Sequence, residues 1–165
     1  MSLNYNEIMN PVSRDLKPSG IRKFFDLAGS VQDVVTLSIG EPDFKTPWHI
    51  REAGIRNLNE GKTAYTSNAG LVPLRNAISS YMSRRFGVTY DPMSEVVVTV
   101  GGSEGIDLAM RTVVSPGDEV LIPEPCFVCY APLAALAGGT PVTLPTYEKD
   151  AFRLTPETLK AAITP

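Results

Sequence analysis

The spacing of hydrophobic positions changes along the chain, and proline and glycine mark where it changes. Leu74, Ile78, Tyr81, Met82 and Phe86 recur at helical intervals, so they form one apolar helix face, and that helix stops at Gly87. Before it, Thr46 as N-cap and Pro47 at the first helical position predict another helix, running to Gly61, which sits where a C-cap glycine belongs. Residues 61–70, GKTAYTSNAG, join the two as a polar loop. Glu95 to Val100 is a continuous β-branched run, the pattern of a strand buried on both faces. Gly101-Gly102-Ser103-Glu104-Gly105 then turns the chain into a helix with Ile106, Ala109, Met110, Val113 and Val114 along one side. A tight turn, Ser115-Pro116-Gly117-Asp118, leads into a second buried strand, Glu119-Val120-Leu121-Ile122. A helix beginning near Tyr130, with Pro132 in its first turn, ends at Gly138-Gly139. Thr140 to Leu144 reads as a third strand, and Thr155-Pro156-Glu157 caps a last helix.

Strand, helix, strand, helix, strand, helix from Glu95 onward is the order of βαβ units in a parallel sheet, so the fold class is α/β. The stretch up to about Phe44 is different. It mixes a short amphipathic run (Ile21, Phe24, Phe25, Ala28) with the strand-like Val34-Val35-Thr36-Leu37-Ser38. It ends in the turn Gly40-Glu41-Pro42-Asp43-Phe44, because Pro42 pushes Glu41 out of helical geometry. This stretch reads as an arm or a piece of another domain. At the other end, Ile163-Thr164-Pro165 stands where the next strand of such a sheet is expected, and three strands alone would leave unpaired edges. The sequence reads as unfinished.

Composition narrows the function classes. The chain has 165 residues, 43% hydrophobic and 20% charged, with a formal net charge of −3. These values exclude a wholly disordered chain, a polybasic nucleic-acid arm and an acidic tail. No run of consecutive apolar residues is long enough for a membrane span, and the start, MSLNYNEIMNPVSRDLK, lacks the layout of a secretory signal. Two cysteines make no disulfide framework, so a reducing cytosol is the expected compartment.

The glycine loop at 101–105 lies between a predicted strand and a predicted helix. A phosphate would sit there, because free N–H groups point outward and the helix dipole favours negative charge. Ser103 adds a hydroxyl donor. A tight strand-to-helix turn also needs glycine without any ligand, so both readings stand. The spacing matches neither G-x-G-x-x-G nor G-x-x-x-x-G-K-[ST]; Glu124, some 20 residues on, could serve as a ribose-binding acid but stands between two prolines. Cys126-Phe127-Val128-Cys129 could be a redox pair or half a zinc site. With only His49 to add to two cysteines, it reads instead as two small buried hydrophobes. His49 reads as a surface residue, and the arginines (Arg51, Arg56, Arg75, Arg84, Arg85, Arg111) as mostly solvated.

Several segments together resemble the class I/II aminotransferases of pyridoxal-phosphate fold type I. They are Gly40-Glu41-Pro42-Asp43-Phe44 with Thr46-Pro47, Gly61-x-Thr63-x-Tyr65-Thr66 ending in Gly70, and Leu74-Arg75-x-Ala77-Ile78. The Gly101-Gly102 loop, Pro116 to Val120, Pro125-x-Phe127-x-x-Tyr130 and Ala137-Gly138-Gly139 complete the set, in family order and over nearly the whole chain. The resemblance implies a three-layer α-β-α fold with a mainly parallel sheet. It divides the chain into residues 1–45, an N-terminal arm and small-domain segment, and residues 46–165, the N-terminal part of the cofactor-binding large domain. It implies pyridoxal 5′-phosphate as cofactor, with Gly101, Gly102 and Ser103 at the phosphate and Phe127 stacked on the pyridine ring. Tyr65 matches the tyrosine that reaches the phosphate of the neighbouring subunit, and Gly40 the glycine whose backbone faces the substrate carboxylate. Cys126 departs from the pattern, standing where the family more often has an aromatic. Each position also has a structural alternative: Phe127 in the core, Tyr65 packing its loop, Gly40 in a turn.

The implied partners are an amino acid and a 2-oxo acid, with a homodimer for the full-length protein and neither nucleic acid nor membrane. The Pro18 to Phe25 and Thr46 to Arg51 stretches look most like aspartate, aromatic or alanine transaminases. The chemistry needs a lysine for the cofactor aldehyde, an acid for the pyridine nitrogen and an arginine for the substrate carboxylate. In the family all three follow the point matching Pro165. The six lysines present (Lys17, Lys23, Lys45, Lys62, Lys149, Lys160) match none of the family's lysine motifs. Three phosphate hydrogen bonds and one ring stack give roughly 7 kcal/mol, against an association cost of about 4–15. The isolated chain is therefore expected to bind cofactor weakly or not at all, and to be catalytically dead. The alternatives are a carbon–sulfur lyase or synthase of the same fold, a Rossmann-like nucleotide module, and a non-enzymatic assembly module dimerising through its arm.

Overall fold

Val120, Leu121 and Ile122 favour extended backbone, and they need a neighbouring strand to satisfy their N–H and C=O groups. In the computed structural model, which describes residues 4–21, 24, 27, 35, 40 and 42–164, that neighbour is the segment one helix further on. β1 (Glu119–Glu124) pairs in parallel with β2 (Thr140–Pro145), from Glu119 opposite Thr140 to Glu124 opposite Pro145. Thr146 prolongs the ladder by donating both its N–H (2.8 Å) and its hydroxyl (2.7 Å) to the carbonyl of Glu124. Among the described residues each of these strands has a strand partner on one side only, which accommodates Pro123, Pro141 and Pro145.

Residues gather into two compact units, Met1–Ser19 with Val100–Pro165, and Gly20–Thr99. The first contains α1 (Tyr5–Ile8) and α2 (Pro11–Asp15), then α5 (Gly102–Val113), β1, α6 (Tyr130–Leu136), β2, a 3-10 turn (Glu148–Asp150) and α7 (Pro156–Ala162). The second contains α3 (Trp48–Asn59) and α4 (Val72–Phe86).

In the first unit α6 packs on β2 and α5, and α7 packs on β2. The core there is Ile122, Leu144 and Ala134, the last wholly shielded from solvent. The expected turn at 115–118 is present: Pro116 and Gly117 (φ +99°) occupy its middle, Asp118 donates to the carbonyl of Ser115 at 3.0 Å, and the Asp118 carboxylate takes the Ser115 N–H at 2.8 Å. Thr155 caps α7 through the Thr158 N–H at 3.2 Å, again as expected. The helices α1 and α2 have no counterpart in the sequence reading; Asn10-Pro11 is the signal for α2, since Asn10 accepts the Val12 N–H at 2.9 Å.

Three expectations are corrected. Among the described residues Glu95–Val100 forms no ladder: Val98 donates its N–H to the Ala69 carbonyl at 3.1 Å, and Val97 and Val100 are exposed. A β-branched run sets extended backbone but cannot supply a partner, so two strands pair among the described residues rather than three. Thr46 is not an N-cap either. Pro47 takes the cap position in polyproline geometry (φ −50°, ψ 142°), which leaves the Thr46 hydroxyl one residue too early. Finally, Leu74, Tyr81 and Phe86 are exposed on α4, and the buried residues are Arg75 and Ser79. The turn at 90–95 covers that side: Ser79 donates its hydroxyl to the Tyr90 carbonyl at 2.5 Å, and the Arg75 guanidinium approaches the Met93 carbonyl at 3.5 Å. The amphipathic run at 21–28 and the strand-like 34–38 fall mostly outside the described residues.

The helix ends in the second unit follow their glycines. At α3, Gly61 (φ +69°) donates to the Leu58 carbonyl and Lys62 to that of Asn57, both at 3.0 Å, the paired bonds of a Schellman cap. The 90–95 turn carries its own electrostatic signature. The Ser94 hydroxyl, the Met93 N–H and the nearby Arg75 charge hold the Asp91 carboxyl below its ordinary value, outweighing the opposing desolvation. A depressed folded-state value means that this stabilisation is complete at neutral pH and lost as pH falls through it. Asp91→Asn should therefore lower stability at pH 7 more than at pH 3. Urea midpoints at the two pH values check this; an equal loss at both would contradict it.

Candidate functional site

The loop at 100–105 is built by one backbone demand. Gly101 stands at the cap position of α5 with φ +84° and ψ 166°, a region open essentially to glycine alone. That bend ends the extended 95–100 segment and starts the helix at Gly102. No side chain caps α5, and the first-turn N–H groups of Gly102, Ser103 and Glu104 have no acceptor within the helix. Gly105 bonds back to the Gly101 carbonyl at 3.5 Å, and the Glu104 carboxylate accepts the Val100 N–H. Gly101, Gly102 and Ser103 are all exposed.

Packing fixes where this helix start lies. The turn at 115–118 reverses the chain, so α5 and β1 run in opposite directions, each about 18–20 Å long. Ile106 and Met110 line one cleft of about 350 Å³ together with Val120, Leu121, Ile122, Pro123 and Tyr130. The N-terminus of α5 and the carboxyl end of β1 therefore lie toward the same end of the unit, the end at which open α/β sheets take ligands. At the opposite end, Gly139 lets the α6–β2 connection close on Val114 and Val120.

Beyond β1, Phe127 borders a second hollow of about 530 Å³, lined also by Glu124, Pro125, Cys126, Val128, Ala131 and Pro145. Phe127 is half exposed rather than in the core, and its ring meets Tyr130 edge to face, with centroids 5.9 Å apart. Tyr130 thus lines the first hollow and meets the ring of Phe127, which borders the second. Cys126 corrects its buried reading: it is exposed, Cys129 is half-buried, and both thiols are free. Arg75 corrects the picture of solvated arginines. It is 4% exposed, and its Nε has no hydrogen-bond partner. Glu124 and His49 are exposed.

Tyr65 and Gly40 belong to the other unit. Tyr65 is fully exposed on the 61–70 loop; Gly40 is exposed, and the residues beside it lie outside the described ones. No helix among the described residues is long and apolar enough to cross a membrane.

Comparison with known proteins gives a consistent result. The profile of the family described as Aminotransferase class I and II matches residues 32–165. YugH of Bacillus subtilis (strain 168), which bears an aminotransferase name, is 52% identical over 151 residues, covering 92% of this chain and 39% of its own length. The aspartate aminotransferase of Pyrococcus abyssi (strain GE5 / Orsay) is 45% identical over 149 residues, 90% of this chain and 38% of its own. Among solved structures, the Thermus thermophilus aspartate aminotransferase with maleate superposes with a TM-score of 0.87 at 34% identity, over 94% of this chain and 42% of that one. The chain spans about two-fifths of the length of the relatives it matches.

Proposed function

Since this chain belongs to the class I and II aminotransferases, we propose that Gly101, Gly102 and Ser103 hold the phosphate of pyridoxal 5′-phosphate in a protein that moves an amino group from an amino acid to a 2-oxo acid. The observation that carries the phosphate assignment is Gly102. Glycine weakens a helix by about 1 kcal/mol relative to alanine. At Gly102 neither a positive φ nor crowding calls for it, because an added Cβ would meet nothing within 4 Å. What glycine supplies there is bare backbone at the positive end of α5. A dianion can then come within reach of the Gly102 and Ser103 N–H groups and the Ser103 hydroxyl.

The other residues fit roles around that anchor. Phe127, half exposed and steadied edge-on by Tyr130, offers a ring face for stacking on the pyridine. The exposed Tyr65 hydroxyl is a donor suited to the phosphate of a second copy in a homodimer, and the Gly40 backbone would face the substrate carboxylate. In this reading residues 1–45 form the arm and small-domain segment and residues 46–165 part of the large domain, in a cytoplasmic enzyme. When bound, the cofactor supplies an aldehyde that takes the amino group and a ring that accepts electrons. This chain contributes binding and orientation. Among its described lysines, Lys62 pairs with Glu60 at 2.6 Å and Lys149 lies over the Tyr147 ring, and none matches a family lysine motif.

Two measurements test this. Titration of the 165-residue chain with pyridoxamine 5′-phosphate should shift the amide resonances of Gly102 and Ser103, and pyridoxamine, which lacks the phosphate, should not. Shifts from both compounds alike would remove the phosphate assignment. With aspartate and 2-oxoglutarate the chain alone should show no turnover above free cofactor, and sustained turnover would overturn its reading as a binding part without the lysine.

A further inference from the structure

Glu104 is the third residue of α5, where an ionised side chain is favoured by the helix dipole and would ordinarily lie among the first-turn N–H groups. Here its carboxylate is turned backward instead, accepting the N–H of Val100, the residue before the cap. The bond closes a ring of chain over Gly101, Gly102 and Ser103. Inside that ring Gly101 keeps its φ of +84°, and a Cβ added there would meet nothing within 4 Å. No side chain caps the helix. The Glu104 bond ties Val100 to the first turn of the helix, alongside the longer bond (3.5 Å) from the Gly105 N–H to the Gly101 carbonyl.

Resting on the phosphate reading above, we propose that Glu104 is a positioning residue. It binds Val100, holds the Gly101 bend, and keeps its own carboxylate off the Gly102 and Ser103 N–H groups that receive the phosphate. The role depends on reach rather than charge. Glutamine has the same length and still accepts a hydrogen bond through its amide oxygen, whereas aspartate keeps the charge but is one methylene short.

The test uses the 165-residue chain, labelled with nitrogen-15 and titrated with pyridoxamine 5′-phosphate, with hydrogen exchange at the Val100 amide followed in parallel without ligand. Glu104→Gln should bind at least as tightly as the native chain and leave Val100 exchange slow. Glu104→Asp and Glu104→Ala should each bind about tenfold more weakly, the order of one lost hydrogen bond, and should speed Val100 exchange. If the alanine variant unfolds, the comparison of glutamine with aspartate carries the result. Aspartate behaving as the native residue, or glutamine binding as poorly as aspartate, would overturn the proposal. A native chain that binds while all variants match it would overturn this role and leave the phosphate reading standing. A native chain giving no phosphate-dependent shift would end both.

Discussion

Gly70→Ala should cost the Gly20–Thr99 unit about 3 kcal/mol, a large part of the roughly 5–15 that holds a typical domain together. Two independent penalties meet at this position. Gly70 has φ +95°, where an L side chain costs about 1–2 kcal/mol. An added Cβ would also stand 2.7 Å from both Cβ and Cγ2 of Val98, and a Cβ cannot swing aside as the tip of a long side chain can. The approach is close because Ala69 accepts the Val98 N–H at 3.1 Å, while Ser67 ties the loop end through the Gly70 N–H (2.9 Å) and carbonyl (2.7 Å). Gly70 therefore closes the loop that carries Tyr65. Pairing Gly70→Ala with Val98→Gly removes the steric part and leaves the backbone part. A double-mutant cycle in urea should then show a favourable coupling of about 1–2 kcal/mol. A single-mutant loss under 1 kcal/mol, or no coupling, would mean that the loop simply moves aside.

How far the fold could be read in advance depended on the range of the interaction responsible. Gly61, Gly87, the Ser115–Asp118 turn and the Thr155 cap act within four or five residues, and each stands where the sequence places it. The extended character of Glu95–Val100 is equally local, but its pairing depends on a neighbour that no residue in the run specifies. Arg75 and Ser79 were hidden for the same reason. Helical periodicity marks Leu74, Ile78 and Phe86 as the apolar face, yet the 90–95 turn folds over the polar one through bonds to Tyr90 and Met93. Thr46 shows a local rule overruled by a nearer one, since Pro47 fixes its own φ and moves the cap. In the candidate site, the glycines and Ser103 were legible because strand-to-helix loops have few designs. The backward bond of Glu104 and the edge contact of Tyr130 on Phe127 were not, being choices of rotamer that spacing does not encode.

Neighbouring glycines at 101 and 102 should give opposite results when each is replaced by alanine, and the contrast separates fold from function. At Gly101 the backbone angles lie where a residue with a Cβ is strained by about 1–3 kcal/mol, although the space around it is open. Gly101→Ala should lower stability by that amount and weaken pyridoxamine 5′-phosphate binding together, because the loop must rebuild its bend. At Gly102 the space is equally open and no strained φ exists, so alanine should leave stability unchanged or raise it by up to about 1 kcal/mol. Yet its methyl group would project beside the first-turn N–H groups, where a phosphate must come close. Affinity for pyridoxamine 5′-phosphate should therefore fall at least about tenfold while the urea midpoint holds or rises, since one lost charge-assisted hydrogen bond already carries that much. A Gly102→Ala chain that binds as the native one does would mean that nothing approaches this backbone closely. A chain that loses stability and binding in parallel would make Gly102 a structural glycine after all. Only loss of affinity without loss of stability fits a helix start kept bare for a ligand.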